Sequence, residues 1–151
     1  MTDNNYEYAG FWARTAATLI DTLLLVMITW PILYAIYGHQ YLDDTIGITP
    51  IQVLIEWVLP IAATVVFWVT KSATPGKMAL SLKVLDERTG NALTVGQSLG
   101  RYFGYIVSII PLGLGILWVA WDSKKQAFHD KLASTVVVKD KRGNIQPVRF
   151  E

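Results

Sequence analysis

Cysteine is absent from the 151 residues of this chain, and charged residues make up only 17% of it. The missing thiols exclude disulfide bonds, thiolate metal ligands and cysteine nucleophiles. Hydrophobic residues account for 52% of the sequence, which is high for a soluble domain of this length. Since there is also no set of His, Asp and Glu residues at metal-ligand spacing, the sequence predicts neither a metal site nor a cofactor.

Three long apolar segments, 11–37, 51–70 and 102–121, reach or approach the roughly 20 residues that a spanning helix requires. The first is not expected to be a signal peptide, because its leader is polar and acidic and no small-residue cleavage site follows the long apolar run. We therefore expect one membrane domain over 1–151, with helix 1 at about 11–37 and helix 2 at about 51–70. No separate soluble domain is expected.

Positive charge is unevenly distributed and predicts the orientation of the chain. The loop at 39–50 contains Asp43 and Asp44 but no lysine or arginine, whereas four basic residues lie within 71–98. Lysine and arginine in short loops mark the cytoplasmic side, so the N-terminus and 71–98 are predicted to be cytoplasmic. The tail at about 122–151 is the most basic part of the chain and should also be cytoplasmic. A single crossing by the third apolar segment conflicts with that placement.

An internal repeat indicates a small β element. The sequence GKMALSLKVLDERTGN at 76–91 aligns with DKLASTVVVKDKR-GN at 130–144, with one gap. Each copy has the pattern of a short strand that runs into a polar Gly-Asn turn. One interpretation is that the strands pair in a cytoplasmic β element formed by about 77–94 and the tail. The alternative is that two short strands resemble each other by chance.

The third apolar segment is predicted to be broken, because the sequence PLGLG at 111–115 disrupts a helix. We expect a re-entrant or short helical hairpin over about 95–121 that returns the tail to the cytoplasm. The alternative is a straight third helix with the tail outside. The predicted fold class is thus an all-α membrane protein with two full transmembrane helices, a broken third segment and a small cytoplasmic β element.

Arg14 and Asp21 lie inside the first apolar segment, where a charged side chain costs roughly 2.5–3.5 kcal/mol on insertion scales. Because Arg14 and Asp21 are seven residues apart, they lie on nearly the same face of the helix, separated by about 10.5 Å along its axis. Asp21 is a candidate binding site for a proton or a monovalent cation, and Arg101 is its expected basic partner. Alternatively, Asp21 belongs to a buried structural network. Arg14 either extends to the lipid headgroups or neutralises a carboxylate at the cytoplasmic mouth.

Four other charged or titratable positions are candidates near the cytoplasmic face. Lys77 ends a predicted turn at the membrane edge and is expected to face the headgroups. His129, Asp130 and Asp122 are expected to form a polar cap, with Asp130 meeting Arg14. A metal or catalytic role for the His-Asp pair is not expected, because no third ligand lies nearby.

Glu56 lies near the outer end of helix 2, four residues before Pro60. It is either a solvated interfacial residue or the outer part of a polar path towards Asp21. The proline is predicted to kink this helix and to loosen its backbone carbonyls.

Four sequence motifs resemble the RDD family of small membrane proteins. They are AGFWARTAATLID at 9–21, TPGKMALSLKVLDERTG at 74–90, Gly100-Arg101-Tyr102, and KKQAFHDKLASTVVV at 124–138. The resemblance implies that Arg14 is the family's arginine and Asp21 its first aspartate. Asp130 is the most plausible second aspartate, and Asp122 is the competing position. The resemblance also implies a bacterial inner-membrane protein, for which ligand transport is the usual suggestion.

Two functions are compatible with these features. The first is a homo-oligomeric transporter or ion-coupled carrier that uses the intramembrane Arg/Asp site. The second is a non-transporting assembly factor, chaperone or regulatory subunit, whose buried charges are structural and whose basic face binds a protein partner or anionic lipid. An enzyme is not expected, because no nucleophile–base set is visible. Nucleic-acid binding is not expected either, since proximity to the bilayer accounts for the basic residues.

Overall fold

A computed structural model describes residues 2–3, 6–43, 47–140 and 148–149 of the chain. The helices, in chain order, are α1 (Phe11–Tyr37), α2 (His39–Leu42), α3 (Pro50–Lys71), α4 (Pro75–Ala79), α5 (Val95–Ile109), α6 (Leu114–Ala120) and α7 (Phe128–Leu132). The strands are β1 (Thr2–Asp3), β2 (Tyr6–Tyr8), β3 (Leu82–Asp86), β4 (Thr135–Asp140) and β5 (Val148–Arg149).

The two longest helices, α1 with 27 residues and α3 with 22, are long and apolar enough to cross a membrane. At about 1.5 Å per residue they extend roughly 40 Å and 33 Å. Most of their apolar side chains are exposed on the outside of the protein, as expected for a surface in contact with lipid. The prediction of two helices with enough apolar length to span a membrane is confirmed in number and position.

Local sequence explains where these helices begin and end. Helix α1 ends at Gly38, whose φ of +60° is readily adopted by glycine. Helix α3 begins with Pro50, and the Thr49 hydroxyl caps it by accepting a hydrogen bond from the Gln52 amide at 3.2 Å. One π-helical turn, Leu54–Val58, precedes Pro60, so the proline's missing amide is accommodated within a continuous helix.

A three-stranded antiparallel sheet has the strand order β2-β4-β3. Strands β3 and β4 come from the two copies of the repeat, and they pair from Leu82 with Lys139 to Asp86 with Thr135. The predicted pairing of the two copies is therefore confirmed. The second Gly-Asn turn, at 143–144, lies outside the described residues. Strand β2 was not predicted, and the fold is mostly helical with a sheet, so the all-α class was too narrow.

The sheet joins three separate parts of the chain at one end of the spanning helices. Strand β2 precedes α1, β3 lies between α3 and α5, and β4 follows α6. Its buried valines and leucines pack against Ala17 of α1 and Trp68 of α3. The hydrophobic core that joins α1, α3 and the sheet therefore lies at this end of the helices.

The third apolar segment is divided into α5 and α6, which are bent by 114° relative to each other. Helix α5 begins with a capping box, in which Thr94 and Gln97 each accept a hydrogen bond from the other's backbone amide. At the break, Leu112 and Gly113 have φ values of +54° and +78°. The bend predicted from the PLGLG sequence is present, and a straight third helix is not.

Candidate functional site

Three charged side chains from three helices meet in the interior. Asp130 of α7 is fully buried, and its Oδ2 accepts a hydrogen bond from Arg14 Nη1 of α1 at 2.5 Å. Its other carboxylate oxygen pairs with Nη1 of Arg101 of α5, which is also buried. The expected meeting of Asp130 with Arg14 is therefore observed. We call Arg14, Asp130 and Arg101 the charge triad.

Additional hydrogen bonds fix the two guanidinium groups of the triad. Arg14 Nε donates to the Ala9 carbonyl at 3.0 Å, and its Nη2 donates to the Lys125 carbonyl at 2.5 Å. Arg101 Nη1 donates to Thr135 Oγ1 at 2.6 Å, and its guanidinium lies 5.2 Å from the centre of the Trp68 ring. The triad thus connects the start of α1 with α5, α7 and strand β4.

The Asp130 carboxyl is ionised in this setting. Burial alone would raise its pKa, but the two guanidinium groups outweigh that effect and hold the pKa below its usual range. The carboxylate also accepts a hydrogen bond from the backbone amide of Ala127 at 2.9 Å, which favours the charged form further. The triad therefore consists of two cations and one anion.

Asp21 has different partners from those predicted. Its carboxylate accepts hydrogen bonds from the Thr74 hydroxyl at 2.5 Å and from the Gly76 amide at 2.6 Å. The expected pairing with Arg101 is wrong, because Arg101 faces α7 and β4 and pairs with the buried Asp130 instead. Asp21 therefore connects α1 to the beginning of α4.

Lys77 is buried rather than exposed to the headgroups. Only 6% of the residue is accessible, because 75–79 forms helix α4, which packs against α1. The described ion pairs involve Arg14, Arg101, Lys124 and Lys131 as cationic partners, and none involves Lys77. An isolated buried charge is unfavourable unless an opposite charge approaches it.

Lys77, Arg14 and Arg101 line the same cavity, which has a volume of about 540 Å³. We call it the cationic cavity. No aspartate or glutamate of the described residues lines it, and the rest of its wall is largely apolar. The lining residues are Phe11, Arg14, Thr15, Thr18, Leu19, Lys77, Arg101, Tyr105, Leu112, Gly113, Ile116, Leu117, Val119, Ala127, His129 and Val137. The buried Arg101 Nε has no hydrogen-bond partner among the described residues.

His129 closes one side of this cavity as a neutral ring. It stacks on Tyr105 with ring centres 3.8 Å apart, and its backbone amide donates to Ser108 Oγ at 3.1 Å. Burial lowers the pKa of His129 to about 3. Asp130 opposes this lowering, and the three cations of the cavity add to it. The imidazole is therefore uncharged at neutral pH.

Replacing His129 by phenylalanine is expected to reduce the pH dependence of stability. Between pH about 3 and 6.5 the unfolded state binds one more proton at this histidine than the folded state does. Its contribution to stability is therefore complete above pH 6.5 and is lost as the pH falls. From pH 6.5 to 5 the wild type should lose about 1.6 kcal/mol more than the variant. Denaturant unfolding of both proteins at the two pH values measures this; equal losses would contradict it.

Glu56 and Asp122 lie outside the cavity lining. Glu56 accepts hydrogen bonds from the Tyr41 hydroxyl at 2.9 Å and from Gln52 Nε2 at 3.4 Å, in a polar group near the other end of α3. Asp122 pairs with Lys131 at 2.5 Å and accepts from two backbone amides of its own turn. Neither carboxylate is brought to Asp21.

Sequence reasoning missed the importance of Lys77, Thr74 and Gly76 for the interior. The available signal was their position immediately after a spanning helix, in a segment with a proline and a glycine but few large polar residues. Among the described residues, no three His, Asp or Glu side chains are grouped as metal ligands.

Comparisons with known proteins agree with the motifs quoted above. The RDD family model matches residues 8–134. The uncharacterized protein YxaI of Bacillus subtilis (strain 168) is 31% identical over 147 residues, which cover 86% of this chain and 96% of YxaI. The uncharacterized membrane protein YteJ of the same strain is 28% identical, over 90% of this chain and 84% of YteJ. No solved structure matches significantly. Because the family model covers most of the chain, this protein belongs to the RDD family of membrane proteins.

Proposed function

We propose that this protein is a membrane carrier for an anionic ligand, which binds in the cationic cavity. The observation that carries the proposal is the charge of the lining. Three cationic side chains, and no carboxylate from the part of the chain that the structure describes, line about 540 Å³ of space. Volumes of this size are typical of small-molecule sites, which are mostly apolar with a few convergent polar groups.

The contacts favour an anion over the cation or proton considered from the sequence. Asp21 accepts two hydrogen bonds from α4 and its N-cap and does not line the cavity. Asp130 is already shared between two arginines. A cation entering the cavity would therefore meet positive charge and no free carboxylate of the described residues, and Coulomb repulsion would oppose its binding.

Lys77 is the residue that most favours the binding of an anion. Its ammonium carries a desolvation cost that no described carboxylate offsets by pairing. An anionic group in the cavity beside Lys77 would supply the opposite charge that this ammonium lacks. Charge-assisted hydrogen bonds of this kind are about twice as strong as neutral ones.

Transport is supported by the break in the third apolar segment. Leu112 and Gly113, the two residues with positive φ at the bend, line the cavity. Broken helices that line a binding cavity recur in transporters. We propose that α5 and α6 form a re-entrant hairpin, with the sheet and both chain termini on the cytoplasmic side of the inner membrane. Because the chain has few spans, a homo-oligomer is needed to complete a carrier.

A ligand-binding module without transport activity is the second candidate. It is favoured by the way in which Asp21 and the charge triad hold α1, α4, α5 and α7 together. In that case the cationic cavity would bind its anion to stabilise or regulate an assembly. Uptake of the bound anion into proteoliposomes separates the two candidates, since only a carrier moves it across the bilayer.

Replacing Lys77 by methionine is expected to abolish anion binding while leaving the fold at least as stable. The purified protein is unfolded by heat in an uncharged maltoside detergent, with inorganic phosphate, decyl phosphate or decyltrimethylammonium added. We expect at least one of the two phosphates to raise the Tm of the wild type, with about 2.7 kcal/mol of stabilisation at a hundredfold excess over Kd. The cationic probe should have no such effect.

The matched control is Lys71→Met, which removes the same charge from an exposed position at the end of α3. This variant should respond to the phosphate probe as the wild type does. The proposal is overturned if neither phosphate stabilises the wild type, if the cationic probe stabilises it equally, or if Lys77→Met retains the full response.

A further inference from the structure

We infer that the anion is an anionic phospholipid, which enters the cationic cavity sideways from the bilayer with its phosphate towards Lys77. This inference rests on the proposed function, because it names the ligand class of the same cavity. It differs from the proposed function in excluding small water-soluble anions as the preferred ligands.

The cavity opens onto the apolar surface of the protein. Leu19 of α1 and Leu112 at the α5–α6 break both line it, yet they are 66% and 95% exposed. A residue with both properties marks the rim of an opening. Both residues belong to the long apolar segments that would face lipid, so a molecule in the bilayer can reach the cavity without crossing water.

The position of the cavity along α1 suits a lipid of one leaflet. The residues of α1 that line the cavity lie between Phe11 and Leu19. They cover about the first 12 Å of the helix. The same end of α1 carries the sheet. In the orientation proposed above, with the sheet outside the bilayer, the cavity would extend from the membrane interface into the region of the acyl chains. A lipid phosphate lies at the interface, and its chains extend inwards from there.

The cavity has a charged end and an apolar end, which match the charged headgroup and the apolar chains of such a lipid. The cationic groups of Lys77 and Arg101 are buried within the protein, whereas Ile116 and Leu117 of α6 add apolar wall towards the bilayer. Lysine and arginine are the usual ligands of phosphate groups. Basic pockets between membrane helices are suited to lipid headgroups, and apolar walls are suited to the adjoining chains.

The test uses full-length protein in nanodiscs of phosphatidylcholine that contain a small fraction of phosphatidylglycerol. Retained lipids are counted by native mass spectrometry after release from the disc. The wild type and Lys71→Met are expected to retain phosphatidylglycerol several-fold above its fraction in the disc. Lys77→Met should retain it only in proportion to that fraction.

A second pair of variants tests entry through the rim. Leu19→Trp places a large apolar side chain at the opening, and Leu23→Trp places the same side chain one turn further along α1. Leu23 is similarly exposed, at 62%, but does not line the cavity. We expect Leu19→Trp to lose the phosphatidylglycerol enrichment and Leu23→Trp to keep it.

The outcomes separate this inference from the proposed function. If inorganic phosphate stabilises the wild type through Lys77 but phosphatidylglycerol is not enriched, the lipid inference is overturned and the proposed function stands. If phosphatidylglycerol is enriched equally in Leu19→Trp and wild type, lateral entry at this rim is overturned. If no anion binds through Lys77, both the proposed function and the lipid inference fail.

Discussion

Replacement of Asp130 by asparagine is expected to lower the free energy of unfolding by about 3–5 kcal/mol. Asparagine has nearly the same size and can still accept the hydrogen bond from the Ala127 amide, so the substitution removes mainly the negative charge. Arg14 and Arg101 would then be left together in the interior without a counterion. Removing one partner of a buried ion pair is strongly destabilising, because the remaining charge is neither solvated nor paired.

Asp122→Asn is the matched control for this prediction. Asp122 also forms an ion pair, but its partner Lys131 is 44% exposed and can be solvated when the pair is broken. Its hydrogen bonds from the Lys124 and Gln126 amides can be kept by an asparagine oxygen. We expect a loss below about 1 kcal/mol, as is usual for exposed pairs. Equal losses in the two variants, measured by denaturant unfolding in detergent, would contradict the account of the triad.

Gly76→Ala is expected to disrupt the packing of α4 on α1. A Cβ atom at Gly76 would collide with the backbone carbonyl of Ala17 and would lie 2.8 Å from Asp21 Cγ and 2.9 Å from the Asp21 amide nitrogen. Most of these atoms belong to the backbone of a spanning helix, which cannot move aside locally. We expect a loss at or above the upper end of the roughly 1–3 kcal/mol typical of overpacking.

Gly100→Ala provides a control of opposite expected sign. Gly100 also lies inside a helix, α5, but an added Cβ would meet nothing within 4 Å. Alanine is favoured over glycine in helix interiors, so this variant should be stabilised by up to about 1 kcal/mol. Thermal unfolding of both variants in the same detergent measures the difference. If Gly76→Ala is as stable as Gly100→Ala, the close approach of α4 to α1 is not present.

The parts of the fold that can be predicted from the sequence are those that depend on the properties of a short stretch of chain. Apolar length is enough to identify α1 and α3, because a bilayer imposes a minimum span. The PLGLG sequence at 111–115 identifies the bend, because proline and glycine disturb a helix wherever it lies. The repeat predicts β3 and β4 because each copy is a short apolar or β-branched run that leads into a polar Gly-Asn turn. Strand β2 escaped detection, since a three-residue strand has no pattern to distinguish it from a polar leader.

The partners of the charged residues depended on the tertiary arrangement and were harder to predict. Helical periodicity places Arg14 and Asp21 on nearly one face, but it does not say which carboxylate a long guanidinium side chain reaches. The position of Arg101 close to the start of the third apolar segment predicts a pairing with Asp21, whereas the packing of α5 on α7 brings Arg101 to Asp130. The position of Lys77 in a predicted turn at the membrane edge favours an interfacial side chain. Its burial follows from α4 packing against α1, which no local pattern reveals.

The most direct test of the anion-binding cavity is lipid analysis of protein extracted from its own membrane. The wild type and the Lys77→Met and Lys71→Met variants are purified in uncharged detergent, and the lipids that remain bound are quantified by mass spectrometry. We expect anionic phospholipid to be enriched over the bulk membrane in the wild type and in Lys71→Met, and to fall to the bulk ratio in Lys77→Met. The same lipid ratio in all three proteins would contradict a lipid-binding role for Lys77 and the cavity that it lines.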